Sequence, residues 1–81
     1  MSVFVNPLKS NKTKLKEEKE ILVATHKKVA VQLDVAANGH LKAAKNYEEG
    51  DTELANLNAM AAFRLTDLAI ETQKKLIKRT L

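Results

Sequence analysis

Apolar residues recur along most of the chain at steps of three and four, the spacing of one face of an α-helix. A first stripe consists of Leu15, Leu22, His26, Val29, Leu33, Ala37, His40, Ala44 and Tyr47. A second consists of Leu54, Leu57, Ala61, Leu65, Leu68, Thr72, Leu76 and Arg79. The spacing predicts two long helices, over about 13–49 and 52–79, and we expect each stripe to face the other helix.

The segment between the stripes carries the clearest local signal in the chain. Gly50 can adopt the left-handed conformation that ends a helix, and the Asp51 carboxylate can accept hydrogen bonds from the first free N–H groups of the next one. So short a connection places two helices side by side and antiparallel. The sequence therefore predicts an all-α, long antiparallel hairpin over residues 12–81, with its turn at 50–51, preceded by a flexible N-terminal arm of residues 1–11.

One part of the first helix has a competing interpretation. Val29, Val31 and Val35 belong to a period-two pattern typical of a strand, and Asn38 and Gly39 could form a turn after it. The helical stripe continues through this segment without losing phase, so we prefer the helix. A kink at Gly39 stays open, because glycine costs about 1 kcal/mol in a helix interior.

Each helix also has apolar residues on the side opposite its stripe. Phe63, Ile70 and Ile77 are spaced by sevens, as in a coiled-coil seam. A hairpin can bury only one apolar side of each helix within itself, and an exposed apolar strip is typical of an interaction surface. We therefore expect self-association, with a dimer that forms a four-helix bundle favoured, through Val31, Val35, Ala59, Phe63, Ile70 and Ile77. The alternatives are that the arm folds back over the strip or that these are ordinary scattered surface residues.

Composition supports self-association. A chain of 81 residues buries only about 60% of its unfolded surface, so its core is marginal. The absence of cysteine excludes disulfides as the remedy, whereas 44% hydrophobic residues are too many for a disordered chain. Two glycines and one proline indicate few loops, and eleven alanines beside 4% aromatic residues indicate helices that approach closely through small side chains.

Charge is separated along the chain. Residues 1–28 hold seven lysines and three glutamates, residues 29–70 hold three basic and six acidic groups, and residues 71–81 hold four basic and one acidic. In a hairpin the two basic segments meet at the open end. An alternative function is therefore a basic module that binds nucleic acid or another anionic partner through Lys74, Lys75, Lys78 and Arg79. Nucleic acid is not favoured, because the chain has two arginines and the basic segments lack stacking aromatics apart from Phe4.

No residue pattern indicates catalysis. The serines are Ser2 and Ser10, there is no cysteine, and His26 and His40 would lie about 21 Å apart along one helix, too far to share a metal within one chain. The roles of these histidines stay open. We expect a non-catalytic interaction and assembly protein without metal or cofactor.

The longest uncharged run, residues 54–63, is about half of a membrane span, so we expect no span and a cytoplasmic location.

Overall fold

Two long helices make up the described part of the chain. A computed structural model describes the backbone of residues 7–80 and the side chains of residues 14–80. Helix α1 spans Pro7–Glu48 and α2 spans Thr52–Thr80, and the two pack against each other as a hairpin. The predicted all-α hairpin is confirmed. Helix α1 begins at Pro7 rather than near residue 13, so residues 7–11 of the expected arm are helical, and residues 1–6 lie outside the described residues.

The turn is built from backbone hydrogen bonds around Gly50. Its φ of 83° is left-handed, and its N–H donates to the carbonyl oxygen of Tyr47 at 3.1 Å. The N–H of Asp51 donates to the carbonyl oxygen of Asn46 at 2.8 Å, which completes a Schellman motif. The N–H of Leu54 donates to Asp51 Oδ1 at 3.1 Å, so Asp51 caps the start of α2. These bonds hold the two helices antiparallel.

Buried residues recur every seven positions along both helices. In each helix the contact is therefore a coiled-coil repeat, and most of its buried members are alanine. Leu22 is half-buried and packs against the cluster formed by Val29, Ala69 and Leu76. We call the following eight residues the central row: Leu22, Val29, Ala36 and Ala43 of α1, and Ala55, Ala62, Ala69 and Leu76 of α2.

Gly39 marks a point of close approach between the helices. A Cβ atom at this position would lie 3.1 Å from the Cβ of Ala62 and 3.5 Å from the carbonyl oxygen of Asn58. The first distance is shorter than the usual 3.5–4.0 Å between carbon atoms in contact. Helix α1 runs through Gly39 and through residues 29–35, which excludes the strand considered for that segment. The glycine therefore permits close packing.

The large side chains of the two predicted stripes lie largely outside the contact. Leu57 is 60% exposed and Leu68 is 54% exposed, and Leu33 and Tyr47 are also exposed. The prediction that these residues face the other helix was wrong. From the turn to the middle of the hairpin, the helices meet through alanine and glycine, which leaves no room for a leucine or tyrosine between them. In addition, a stripe of residues spaced by 3.6 drifts about 20° per heptad from a helix contact that repeats every 3.5 residues. Toward the open end, Leu22, Val29 and Leu76 of the stripes do lie in the contact, as predicted.

Several polar side chains between the central-row residues are bonded within the hairpin, whereas the buried Oε1 of Gln32 has no hydrogen-bond partner among the described residues. The hydroxyls of Thr25, Thr66 and Thr72 each donate to the carbonyl oxygen four residues earlier in the same helix, at 2.7–2.9 Å. Asn58 Nδ2 donates to Asn46 Oδ1 at 2.7 Å and so links the two helices near the turn. Such a polar pair across a seam favours one register of the helices over others.

Candidate functional site

One side of the hairpin has no charged residue over most of its length. Because successive helical residues are 100° apart, positions one and four after a central-row residue project to the same side. The eight central-row residues define sixteen such positions. None of these sixteen positions holds Lys, Arg, Asp or Glu, although 30% of the residues of the chain are charged. We call this surface the charge-free flank: Val23, His26, Ala30, Leu33, Ala37, His40, Ala44 and Tyr47 of α1, and Asn56, Ala59, Phe63, Thr66, Ile70, Gln73, Ile77 and Thr80 of α2.

Contacts between the helices join the two halves of the charge-free flank. Near the turn, the Tyr47 hydroxyl donates a hydrogen bond to Asn56 Oδ1. In the middle, the rings of His40 and Phe63 lie with their centroids 5.5 Å apart and tilted by 57°. Toward the open end, one groove is lined by His26, Gln73, Leu76, Ile77 and Thr80. The flank is therefore one continuous surface that both helices share.

Large apolar side chains on the charge-free flank are accessible to solvent. Leu33, Tyr47, Phe63, Ile70 and Ile77 are between 41% and 58% exposed, so roughly half of each side chain remains available for contact. Apolar patches larger than a few hundred Å² are uncommon on monomeric proteins and usually mark a binding surface. The flank therefore has the chemistry of an interface with an apolar, uncharged partner.

The opposite side of the hairpin combines apolar and basic residues. It consists of the positions one before and two after each central-row residue, and all sixteen are exposed. Six of them are Lys or Arg and one, Glu71, is acidic. We call this surface the basic flank: Ile21, Ala24, Lys28, Val31, Val35, Asn38, Lys42 and Lys45 of α1, and Leu54, Leu57, Ala61, Arg64, Leu68, Glu71, Lys75 and Lys78 of α2.

The residues predicted for self-association fall on both sides of the hairpin. Ala59, Phe63, Ile70 and Ile77 lie together on the charge-free flank, whereas Val31 and Val35 lie on the basic flank. Sequence reasoning missed Leu33, His40 and Tyr47 as surface residues, because it placed them in the buried stripe. The signal that identifies them is the seven-residue spacing of the small residues Ala36, Ala43, Ala55, Ala62 and Ala69, which fixes the seam one residue away from that stripe.

The four residues predicted to bind anions have different surroundings. Arg79 Nη1 donates to both carboxylate oxygens of Glu18, at 2.7 and 2.8 Å, and so joins the end of α2 to α1. Lys74 Nζ lies 3.3 Å from Glu71 Oε1. Lys75 and Lys78 lie on the basic flank. Two of the four cations therefore already have a carboxylate partner within the chain.

A metal site and a membrane span are both absent from the described residues. Among them, no three His, Asp or Glu side chains are grouped so that they could hold a metal ion. Neither helix, over residues 7–80, has a stretch apolar enough to cross a bilayer. The chain shows no significant similarity to a protein family, a curated protein or a solved structure. The two flanks are therefore the surfaces on which a function can be argued.

Proposed function

We propose that this chain is a small non-catalytic interaction and assembly protein that self-associates through its charge-free flank. The observation that carries the proposal is the flank itself, where sixteen positions hold no formal charge and six large apolar side chains, Val23 and the five described above, are exposed. The surface of a stable small monomer normally mixes charges of both signs and avoids contiguous apolar area. A partner that covers this flank removes the contiguous apolar area from solvent. It also adds buried apolar surface to a core made mostly of alanine.

A second copy of the chain is a suitable occupant by size and by charge. The flank extends over residues 23–47 of α1, about 36 Å, and is two helices wide, about 20 Å. The resulting area of about 700 Å² is close to the roughly 800 Å² that each partner buries in a standard stable interface. In a two-fold dimer a residue near the axis meets its own copy, so any charge there would face a like charge. An uncharged flank avoids this repulsion, and two stacked hairpins form a four-helix bundle.

The charge distribution favours one orientation of the two copies. The turn carries Glu48, Glu49, Asp51 and Glu53, whereas the end of α2 carries Lys74, Lys75, Lys78 and Arg79. A two-fold axis perpendicular to the helices places the acidic turn of one copy beside the basic open end of the other. An axis along the helices would instead bring like charges together. We therefore propose a dimer with its turns at opposite ends.

Sedimentation equilibrium of matched variants tests this proposal. The unaltered chain should sediment at about twice 9.0 kDa at micromolar concentration. Phe63→Glu, on the charge-free flank, should give the monomer mass, and Leu57→Glu, similarly exposed on the basic flank, should keep the dimer mass. If circular dichroism shows that Phe63→Glu has lost its helices, a milder pair replaces the first pair: Ile77→Gln on the charge-free flank, with Val31→Gln on the basic flank as its control. A 9.0 kDa mass for the unaltered chain, or equal effects of the paired variants, would refute the proposal.

Anion binding at the open end has less support. Arg79 and Lys74 are engaged with carboxylates, so the open end presents less positive charge than its sequence suggests. If the open end were nevertheless the binding surface, Arg79→Ala combined with Lys74→Ala would abolish retention on heparin at low salt. We expect that pair to lower retention no more than Lys16→Ala with Lys27→Ala, which removes two positive charges from α1 instead.

A further inference from the structure

We infer that the basic flank is a second docking surface, and that it receives an acidic amphipathic helix from another protein. All sixteen of its positions are exposed, and they include six cationic residues and a single acidic one. That carboxylate, on Glu71, lies 3.3 Å from the ammonium group of Lys74 on the outer side of α2. The flank is therefore apolar and strongly electropositive, unlike the charge-free flank on the other side.

The inner rows of the basic flank have an apolar floor with a cation toward each end. Val29 packs in one cluster with Ala69 and Leu76, so the residues that directly precede these three, Lys28, Leu68 and Lys75, lie near one another. Closer to the turn, Gly39 lies against Ala62, which brings Val35 and Ala61 into the middle of the same surface and Lys42 beyond them. Lys28 and Lys42 are fourteen residues apart, or about 21 Å, the length of four helical turns.

The outer rows extend this pattern to the edges of the basic flank. Lys45 on α1 and Arg64 and Lys78 on α2 place positive charge outside the apolar floor, and Val31 and Leu57 widen the floor itself. An amphipathic helix laid between α1 and α2 would bury its apolar stripe on the floor and direct its flanking side chains to these cations. Acidic side chains at those flanking positions would be complementary.

Other occupants fit the basic flank less well. A second copy of the chain would bring six cations against six. A nucleic-acid backbone offers no apolar surface for the exposed valines and leucines, and single bases would need stacking aromatics, which the flank lacks. Helices that bind anionic membranes usually anchor with Trp or Phe as well as leucine, and none of the sixteen positions is aromatic. This inference does not depend on the proposed dimer, because stacking through the charge-free flank leaves both basic flanks accessible.

Fluorescence anisotropy with a designed peptide tests the inference on the full chain. The probe is an 18-residue labelled helix with leucine at every third or fourth position and glutamate at the positions beside that stripe. We expect saturable binding at micromolar concentration, about tenfold weaker for the peptide in which glutamine replaces each glutamate and weaker again as salt rises. Absence of binding up to about 200 μM, or equal binding of the two peptides, would overturn the inference.

Charge-reversal variants locate the binding surface. Lys28→Glu with Lys42→Glu should weaken binding of the acidic peptide about tenfold or more. Lys16→Glu with Lys27→Glu makes the same change in net charge outside the basic flank and should have little effect. Equal losses in both pairs would mean that only overall charge attracts the peptide, which would overturn the inference. Tighter binding to phosphatidylserine vesicles or to a random DNA duplex than to the acidic peptide would likewise overturn it in favour of a membrane or nucleic acid.

Discussion

Replacing Ala62 by leucine tests the close helix contact on which both flanks depend. Ala62 is fully buried, and its Cβ faces Gly39 at a distance where even one added carbon atom would be crowded. Leucine adds three carbon atoms at a fully buried site that lies against Gly39, a residue with no side chain that could move away. Overpacking a core typically costs about 1–3 kcal/mol, and we expect the upper part of that range here.

The neighbouring residue supplies the control. Ala61 is exposed on the basic flank, and leucine is nearly as good a helix former as alanine, so Ala61→Leu should change the free energy of unfolding by less than about 0.5 kcal/mol. The two variants have the same composition. Their stabilities should differ by about 2 kcal/mol, which corresponds to roughly 8–16 °C in Tm for a domain of this size.

Thermal unfolding followed by circular dichroism at 222 nm, at one fixed protein concentration, measures this difference. Equal midpoints for Ala62→Leu and Ala61→Leu would refute the small-residue seam. A higher midpoint for Ala62→Leu than for the unaltered chain would refute it more strongly, because it would mean that the site has room for a large side chain.

Three further predictions concern the turn, His40 and the orientation of the dimer. Gly50→Ala should lower the free energy of unfolding by about 1 kcal/mol in urea titrations, because its φ of 83° is unfavourable for residues with a Cβ; an unchanged midpoint would contradict this. His40→Lys should weaken self-association, because it places a fixed charge on the charge-free flank; sedimentation at the dimer mass would contradict it. A spin label at Glu53→Cys, in a chain without native cysteine, should give a distance of about 40 Å between copies; one below about 20 Å would indicate turns at the same end.

The hairpin could be predicted from sequence because its determinants are local. Gly50 and Asp51 act within a few residues of their own positions, through a left-handed φ and a cap to Leu54. On either side of the turn, the apolar residues recur at steps of three and four. This spacing indicates helices, whichever helix face is buried. The start of α1 was less predictable, since several residues between 7 and 13 could begin a helix.

The rotation of each helix about its axis was not predicted, because it depends on how closely the helices approach. After Val29, the next large apolar residue at helical spacing is Leu33, but Leu33 is exposed. The residues that continue the contact with α2 are the half-buried Gln32 and the buried Ala36. The alanine content indicates close packing, and close packing favours the face that carries Ala36 and Ala43. The one-residue difference determined which side chains are on the surface.

The candidate site could be predicted only in part for the same reason. Phe63, Ile70 and Ile77 were identified because their seven-residue spacing matches the repeat of the seam, so they stay on one side along the whole of α2. Val31 and Val35 were grouped with them because the side of α1 that meets α2 was not known. The charge-free flank draws half of its positions from each helix, so its lack of charge is visible only after both helices are placed.

The concentration dependence of thermal unfolding of the unaltered chain tests self-association most directly. If a folded dimer unfolds to separate chains, a hundredfold rise in concentration stabilises it by about 2.7 kcal/mol. With an unfolding entropy of about 2.1 cal/mol/K per residue over two chains, the midpoint should rise by about 8 °C between 1 and 100 μM. Midpoints that agree within about 1 °C across that range would contradict the account, because they would mean that the hairpin is stable as a single chain.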